Sequence, residues 1–444
     1  MRAFLSSSGT RAVPWTTAAL QPHLRASSSL TLLTGSSSAT SSRCILEGRR
    51  RAGLPRSWNA KAGGVRTFIA DGKQTTQTKP KVPPFAFAFD IDGVLLHVAK
   101  PIPGATETLR YLQKNNIPFI LLTNGGGKHE TERVADLSAK LDVPLTTDNF
   151  VQSHTPFQEL VHGPEGLHDK NILITGSNAA KSRTIAETYG FKNVITPADI
   201  LMAYPTVWPF EPLMEELYEK TARPLPEPQP KIDAMFVFND PRDWALDIQI
   251  IMDLLLSDGG VLGTYSPKNG KRDLPNAGWQ EGGQPPLYFS NPDLFWAARY
   301  HFPRFGQGAF QAAMAGIWGE VTAGQAELRR TVIGKPYKQT YRYAERVLNA
   351  HRAQVLGVEP TDADSPDSGA VPPLTRVYMV GDNPESDIRG ANDYESPAGT
   401  DWTSVLVRTG VWTADRGPPA HEPRVIVDDV AGALDWALKQ EGWR

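Results

Sequence analysis

Short apolar runs alternate with longer segments of helical periodicity along most of the chain. Two runs, at residues 85–89 and 118–123, have the length and composition of strands buried in a parallel sheet. Apolar positions three and four apart predict helices over residues 106–114 and 130–141. This order of strands and helices predicts an α/β fold with a doubly wound, Rossmann-like parallel sheet.

The alternation restarts after residue 150 and again after residue 330. The middle stretch predicts strands at 171–176, near Val194, within 231–240 and at 286–291, with helices over 179–189, 244–256 and 310–320. The last stretch predicts strands at 331–336, 376–382, 403–410 and 424–429, with a helix over 339–351. We therefore expect one sheet domain in two parts, residues 85–150 and 331–444, interrupted by an α/β cap domain at residues 151–330.

Three segments lie outside this pattern. Residues 1–70 hold ten basic residues against one acid, Glu47, among many serines, which is the composition of a mitochondrial transit peptide. A chloroplast address shares that composition, and a basic disordered tail with no address is the alternative. Residues 71–84 are polar and predict a linker, and the Pro, Asp, Ser and Gly excess of residues 357–373 predicts a disordered loop.

Charge and composition limit the partners of the remaining chain. Residues 71–444 keep 36 of the 46 basic residues and 47 of the 48 acidic ones, a net charge of −11, so a nucleic-acid partner is disfavoured. No apolar run approaches the roughly 18 to 20 residues of a membrane-spanning helix. Cys44 is the single cysteine, so an internal disulfide and a zinc finger are both excluded. Composition leaves the oligomeric state open, a homodimer included.

Asp90 and Asp92 follow the first apolar strand directly, with Gly93 behind them. Ligands of open α/β sheets bind beyond the carboxyl ends of the strands, so both carboxylates are predicted to reach the site. One aspartate can attack phosphorus while the other protonates the leaving oxygen and later activates water. A calcium-binding loop is the alternative, but it needs an acid at its twelfth position, which is Pro101 here.

Two further strand ends carry groups suited to binding phosphate. Thr123 and Asn124 end the second strand, and Gly125 follows them; a hydroxyl and exposed backbone amides are good donors to phosphate oxygens. Lys335 follows a third apolar run and can hold the charge of a nucleophile and of a transferring phosphoryl group. Taken singly, an Asn-Gly turn and a surface lysine are common features.

A fourth strand runs into Asp382, and Asp387 follows five residues later. Mg²⁺ prefers carboxylate oxygens, and carboxylates from two strand ends can face each other across the ion. An isolated Gly-Asp pair is common. Its place between a strand and a helix, with a second acid nearby, favours a magnesium site.

The four motifs occur in a fixed order: DIDGVL, TN, GKP and GDNPESD, each after a strand. In this order the chain resembles the haloacid dehalogenase superfamily. The insertion between the second and third motifs resembles subfamily IIA, the p-nitrophenylphosphatase-like branch with an α/β cap. The DIDGVLL opening, SHTPF at 153–157 and the composition of the N-terminus look most like a mitochondrial group within that branch.

The resemblance implies a role for each motif residue. These roles are nucleophile and metal ligand for Asp90, acid/base and backbone-carbonyl metal ligand for Asp92, phosphate binding for Thr123, Asn124 and Gly125, charge stabilisation for Lys335, Mg²⁺ ligation for Asp382, and support of the lysine or of a metal-bound water for Asp387.

The inserted domain offers candidate substrate contacts in Asn291, Asp293 and the turn at residues 306–308. Capping of a helix predicted over residues 294–300 explains Asn291 and Asp293 equally well. His154 is interpreted as a structural histidine of a turn. We expect the inserted domain to close over the site and exclude water.

These observations predict a Mg²⁺-dependent phosphatase of a small phosphorylated metabolite in the mitochondrial matrix, acting through an aspartyl-phosphate. The resemblance adds a loose link to glycerophospholipid metabolism. The alternative is a binding or assembly protein of the same fold with little turnover, for which the aromatic residues of the inserted domain would form a partner surface. Dehalogenation is disfavoured, because Asp92 and the magnesium-binding aspartates would have no task in it.

Overall fold

A computed structural model describes residues 82–358 and 373–443, apart from residues 165, 297, 299 and 301. All of these residues belong to one compact unit. The predicted transit peptide and most of the predicted linker lie outside the described residues, as does nearly all of the loop predicted over 357–373. Among the described helices, none combines the length and the apolar character that crossing a bilayer requires.

Strands and helices alternate along the described chain. The strands are β1 (Phe85–Phe89), β2 (Leu96–His97), β3 (Lys100–Pro101), β4 (Phe119–Leu122), β5 (Phe150–Val151), β6 (Asn171–Thr175), β7 (Asn193–Ile195), β8 (Ala234–Val237), β9 (Leu287–Phe289), β10 (Phe295–Trp296), β11 (Arg304–Phe305), β12 (Thr331–Val332), β13 (Arg376–Gly381), β14 (Asp401–Val407) and β15 (Val425–Val427). The α-helices are α1 (Ala105–Lys114), α2 (Glu130–Leu141), α3 (Glu159–His162), α4 (Ala179–Tyr189), α5 (Pro197–Ala203), α6 (Glu215–Thr221), α7 (Trp244–Leu256), α8 (Gln307–Val321), α9 (Lys338–Leu356), α10 (Arg389–Asp393) and α11 (Val430–Gln440).

The first sheet has six parallel strands in the order β15-β14-β13-β1-β4-β5. Side chains of β1 alternate between two cores: Phe87 and its odd-numbered neighbours pack towards α1, α2 and α11, while Ala86 and Ala88 pack towards α9. Small residues on one face let α9 approach closely, with Tyr341 and Leu348 buried against the sheet. The predicted doubly wound α/β fold is confirmed.

The second sheet has five parallel strands in the order β12-β9-β8-β6-β7. Its edge strand β12 falls within residues 331–336, which the sequence pattern assigned to the first sheet. That assignment is wrong, because Thr331 and Val332 pair with Tyr288 and Phe289 of β9. Only two residues pair, and the chain then leaves this sheet and crosses towards the first one, carrying Lys335.

Two other local predictions need correction. The helix predicted over residues 294–300 is absent; β10 there pairs with β11 as an antiparallel hairpin, in which Phe295 faces Phe305. Its aromatic side chains are exposed rather than turned inward as one face of a helix. The strand β5 was missed because two residues are too few to show a period, although Phe150 pairs with Leu121 at the sheet edge.

Candidate active site

The carboxyl end of β1 carries Asp90 into the interior of the molecule. Its backbone N–H donates to the carbonyl of Val380 in β13 at 2.9 Å, so the pairing of the two strands fixes where the side chain starts. Asp90 is buried. Asp92 turns outward instead: its side chain is 58% exposed, and its Oδ2 lies 3.9 Å from Nη2 of Arg133. One carboxylate therefore lies inside the site and the other at its opening.

Asp382 reaches the same point from the neighbouring strand β13. One carboxylate oxygen from each of Asp90, Asp382 and Asp387 lies within 4.8 Å of the others. The backbone N–H of Val411, just beyond β14, donates to Asp382 Oδ2 at 2.6 Å. Four adjacent strand ends, those of β4, β1, β13 and β14, thus border one small volume, as expected for the carboxyl edge of a parallel sheet.

Lys335 is the cation at the centre of this cluster. Its Nζ lies 2.5 Å from Asp90 Oδ1 and 2.6 Å from Asp387 Oδ1, and it donates to the carbonyl of Leu122 at 2.8 Å. Burial alone would lower the pKa of Lys335, but the charges of Asp387 and Asp90 outweigh it and raise the pKa above its ordinary value. Lys335 is therefore a fixed positive charge.

Asp387 connects Lys335 to the backbone at the end of β13. Its Oδ2 accepts the backbone N–H groups of Asp382 and Asn383, each at 3.1 Å, while its Oδ1 faces Lys335. Both oxygens are therefore in use. Gly381 leaves room for this arrangement, because a Cβ there would lie 2.2 Å from the Cβ of Asp387.

The buried charges of the site do not balance without a further cation. Burial raises the pKa of Asp90 to about 7, against the opposing effect of Lys335. Burial, with the charges of Asp90 and Asp387, raises the pKa of Asp382 well above its ordinary range. Three carboxylates face one ammonium group, and a divalent ion would supply the missing charge. Among the described residues, Asp90 Oδ2 and Asp382 Oδ1 have no hydrogen-bond partner, so the donor set fits Mg²⁺.

Two glycines make room for Asp382, a role that the sequence alone did not indicate for either of them. A Cβ at Gly93 would lie 2.3 Å from Asp382 Oδ2, and a Cβ at Gly410 would lie 1.9 Å from the same atom. Gly93 also has a φ of +91°, which other residues rarely adopt. Gly410 lies three residues after β14, and its place as the last residue of the strand predicted over residues 403–410 was the available signal.

Gly410→Ala is expected to displace the Asp382 carboxylate and to lower magnesium affinity by about 10- to 100-fold. The cause is the 1.9 Å approach of the new methyl group to Asp382 Oδ2. Isothermal titration of the chelator-treated protein with Mg²⁺ measures this. Gly316→Ala in α8 is the matched control, since nothing lies within 4 Å of a Cβ there. Equal affinity of the Gly410 variant and the wild type would contradict the expectation.

The loop after β4 carries Thr123, Asn124 and Gly125, and the side chain of Asn124 binds the backbone of Lys335. Asn124 Oδ1 accepts the backbone N–H of Lys335 at 2.7 Å, and its Nδ2 donates to the carbonyl of Lys335 at 2.9 Å. The Asn124 amide therefore positions Lys335. Thr123 Oγ1 accepts the N–H of Gly125 at 3.0 Å, which leaves the threonine hydroxyl proton free to point at a phosphate oxygen.

Of the candidates from the inserted segment, Asp293 reaches the site and Asn291 shapes the loop. Both oxygens of Asp293 lie 3.1 Å from Asn124 Nδ2. Burial raises the pKa of Asp293 to about 7. Asn291 Oδ1 accepts the N–H of Asp293 at 2.8 Å, and the N–H of Gly308 donates to the Asp293 carbonyl at 2.9 Å. These two contacts hold Asp293 over the loop of Asn124.

A buried chain of hydrogen bonds joins the two sheets beside the site. The N–H of Gly127 donates to His154 Nε2 at 3.4 Å, and His154 Nδ1 lies 2.7 Å from the hydroxyl of Tyr189 in α4. Tyr189 donates in turn to Glu130 Oε1 at 2.5 Å. Because Nε2 accepts, the ring is neutral with its proton on Nδ1. His154 thus has the structural role that its place in a turn predicted.

The free energy of unfolding should fall by about 3 kcal/mol as His154 is titrated. Burial lowers the pKa of His154 from 6.5 to about 4, although Glu130 opposes the shift. The unfolded chain binds this proton and the folded protein does not, so stability is full above pH 6.5 and is lost towards pH 4. Urea unfolding at both ends of this window, compared with His154→Gln, isolates the effect. A pH dependence identical in both proteins would argue against it.

Comparison with known proteins places this chain among hydrolases. Residues 87–192 match a family described as haloacid dehalogenase-like hydrolase, and residues 332–433 match one described as HAD-hydrolase-like. A protein of Saccharomyces cerevisiae named mitochondrial hydrolase is 40% identical over 376 residues, which cover 83% of this chain and 99% of that protein.

Two further matches are a longer protein and a solved structure. A Schizosaccharomyces pombe protein, named as a fusion of cardiolipin synthase (CMP-forming) and a mitochondrial hydrolase, is 41% identical over 391 residues. These residues are 87% of this chain, and the chain spans 58% of the fusion protein's length. The solved p-nitrophenyl phosphatase from Archaeoglobus fulgidus is 15% identical with a TM-score of 0.49, over 79% of this chain and 98% of that one.

Proposed function

The chain belongs to the haloacid dehalogenase-like hydrolases, and from that premise we propose that it is a magnesium-dependent phosphatase of a small phosphorylated substrate. The observation that carries the proposal is the convergence of Asp90, Asp382 and Asp387 on Lys335. One of these carboxylates, Asp90, lies at the end of the central strand with one oxygen free of hydrogen bonds among the described residues.

In the first step a carboxylate oxygen of Asp90 attacks phosphorus. A bond forms between that oxygen and phosphorus, and the bond from phosphorus to the ester oxygen breaks. Asp92, at the opening of the site, gives its proton to the departing oxygen, so the product leaves as a neutral alcohol. Asp90 is left as an aspartyl-phosphate.

In the second step water attacks the phosphorus of the aspartyl-phosphate. Asp92, now a carboxylate, accepts a proton from that water, and the bond between phosphorus and Asp90 breaks. Inorganic phosphate leaves, Asp90 is ionised again and Asp92 is protonated again. The exposure of Asp92 suits both tasks, because its carboxyl group must reach the leaving oxygen and then a water molecule.

The remaining groups stabilise charge during both steps. Lys335 stays protonated and offsets the charge of Asp90 and of the phosphoryl oxygens. The Thr123 hydroxyl and the Gly125 loop are available to the phosphoryl oxygens. Asp90, Asp382 and the backbone carbonyl of Asp92 would hold Mg²⁺, which when bound supplies the positive charge that lets a phosphate approach an aspartate.

Two contacts between the segment of the second sheet and the loop after β4 support a cap over this site. Asp293 contacts Asn124, and Asn239 at the end of β8 lies against Gly127, where a Cβ would be 2.3 Å from Asn239 Nδ2. We propose that residues 151–330 form this cap and that Asp293 contacts the substrate beyond its phosphate. A carboxylate at that position would accept hydrogen bonds from substrate hydroxyls.

We propose a mitochondrial location and a substrate with a glycerol-phosphate-like headgroup. Two relatives carry the word mitochondrial in their names, and one of them is fused to a cardiolipin synthase. The basic, serine-rich residues 1–70 have the composition expected of a mitochondrial address. A hydroxylated headgroup is also what Asp293 is suited to bind.

Phosphate release by the purified full chain, with Mg²⁺ and then with a chelator, tests the proposal. The substrates are p-nitrophenyl phosphate, glycerol 3-phosphate and a set of sugar phosphates. We expect turnover that needs Mg²⁺ and at least one substrate that is preferred over p-nitrophenyl phosphate. Release no faster than from the Asp90→Asn protein with every substrate would favour the alternative, a binding or assembly protein.

A further inference from the structure

The inserted segment contains an exposed aromatic hairpin that lies beside the site. It consists of the strands β10 and β11 with the adjoining described residues between Leu294 and Phe305. Six of its large apolar side chains are at least 42% exposed, namely Leu294, Phe295, Trp296, Tyr300, Phe302 and Phe305. We call this set the aromatic hairpin. Contiguous exposed apolar groups of this kind mark interaction surfaces in soluble proteins.

The base of the aromatic hairpin is held firmly. The N–H of Gly306 donates to the carbonyl of Leu294 at 2.9 Å, and Trp296 Nε1 donates to the carbonyl of Phe305 at 3.2 Å. The rings of Phe295 and Phe305 stack with centroids 5.7 Å apart. These internal contacts thus hold the aromatic side chains at the surface. If the same residues formed a helix, part of these side chains would point inward.

The sequence of the aromatic hairpin is basic, unlike that of the whole chain. No aspartate or glutamate occurs between Asp293 and Glu320, whereas Arg299 and Arg304 both do, in a protein with a net charge of −2. The guanidinium carbon of Arg304 lies 4.6 Å from the centroid of the Tyr300 ring. Aromatic side chains mixed with arginine suit the interface of an anionic bilayer, where rings sit among headgroups and cations meet lipid phosphates.

The aromatic hairpin begins at the site itself. Asp293, the residue before Leu294, touches Asn124, which in turn holds Lys335. A surface bound by this hairpin would therefore lie next to the opening of the phosphate site.

We propose that the aromatic hairpin docks the protein on an anionic membrane surface, with the active site facing the lipid headgroups. The docking proposal depends only on the features of the aromatic hairpin. The corollary that a membrane-held phosphomonoester is the substrate rests on the proposed phosphatase function.

A second copy of the chain fits the aromatic hairpin less well. In a twofold contact the same patch lies on both partners, so Arg304 of one hairpin would be brought close to Arg304 of the other. The sequence has no acid from residue 294 to residue 319 that could offset a like charge brought by a second copy. A membrane with anionic headgroups supplies both the apolar interior and the negative charge.

A fluorescent label on the hairpin tests the proposal directly. In full-length protein with Cys44→Ser, Phe302→Cys carries an environment-sensitive probe. Tyr265→Cys is the matched control, because the two side chains are 60% and 61% exposed. Tyr265 lies in the connection from α7 to β9, which contacts the residues before β8 through the Ile232 N–H and the Gly260 carbonyl, whereas the hairpin follows the carboxyl end of β9. With phosphatidylglycerol-containing vesicles we expect quenching by brominated lipid at position 302 and little at 265.

A second pair of variants measures the strength of docking. Trp296→Ser with Phe302→Ser should lower vesicle partitioning about tenfold, while Tyr265→Ser leaves it unchanged; hydrolysis of p-nitrophenyl phosphate stays the same in both. Equal quenching at both labels, or none at 302, overturns the proposal. So does loss of a dimer in the hairpin variant without any change in vesicle binding. Docking without phosphate release from any substrate would refute only the phosphatase function.

Discussion

Asp90→Asn is expected to reduce the rate of phosphate release at least about a thousandfold. The amide has nearly the shape of the carboxylate, but it has no charge and is a poor nucleophile towards phosphorus. Asp90 also supplies one of the two oxygens that remain free for a metal ion, so the variant should lose magnesium affinity as well. The measurement is kcat with saturating Mg²⁺ for the preferred substrate.

The control for this variant is Asp136→Asn. Asp136 lies in α2, where it pairs with Lys140 at 2.8 Å and with Arg133 at 3.5 Å, so it shares Arg133 with Asp92 but lies outside the site. Its removal should change kcat less than about twofold. If Asp90→Asn kept more than a tenth of wild-type activity while remaining folded, Asp90 would not be the nucleophile.

Lys335→Met should lower activity at least about a hundredfold and destabilise the magnesium-free protein by about 3 kcal/mol. The lysine is 1% exposed and its ammonium group contacts Asp90, Asp387 and the carbonyl of Leu122. A methionine fills the same space but leaves two buried carboxylates without their cation. Urea unfolding with a chelator present measures the stability, and phosphate release measures the activity.

The double variant Lys335→Met with Asp387→Asn separates the two effects. Removing one of the two stranded charges should recover part of the lost stability, because less uncompensated charge remains buried. Activity should stay low, since no cation is restored beside Asp90. Recovery of activity in the double variant would show that Lys335 serves only to neutralise Asp387.

The sequence predicted the elements that carry the site because strong, regular patterns specify them. Residues 130–141, 179–189 and 244–256 form helices with the predicted bounds. The apolar runs at β1, β4 and β13 are buried on both faces of a parallel sheet, so each strand and its polar terminal residue could be recognised. Asp90 and Asp382 meet because they follow such runs, whereas Lys335 reaches them from β12 of the second sheet.

Features that depend on contacts between distant segments could not be predicted. The pairing of Thr331 with Tyr288 and the bonds from Asn124 to the backbone of Lys335 join residues far apart in the chain. The space that Gly410 leaves for Asp382 is likewise visible only when two strand ends are side by side. Each of these needs the assembled sheets, whereas periodicity reports only on neighbours along the chain.

The hairpin at residues 294–306 shows a different limit. Its apolar residues, read as one face of a helix, would be buried, yet Phe302 and Phe305 are among the most exposed aromatic side chains of the described residues. Local pattern cannot distinguish residues buried within the fold from residues that an external partner covers. The wrong prediction of a helix over residues 294–300 therefore concerns the same segment that we propose to be an interaction surface.

Identification of the residue that carries the phosphoryl group during turnover tests the role of Asp90 most directly. Wild-type protein and Asp92→Asn are mixed with substrate and Mg²⁺, quenched in acid and mapped by peptide mass. We expect the phosphoryl group on Asp90, with more of it in Asp92→Asn because hydrolysis of the aspartyl-phosphate is slowed. Continued turnover with the phosphoryl group on another residue, or on none in either protein, would contradict this mechanism.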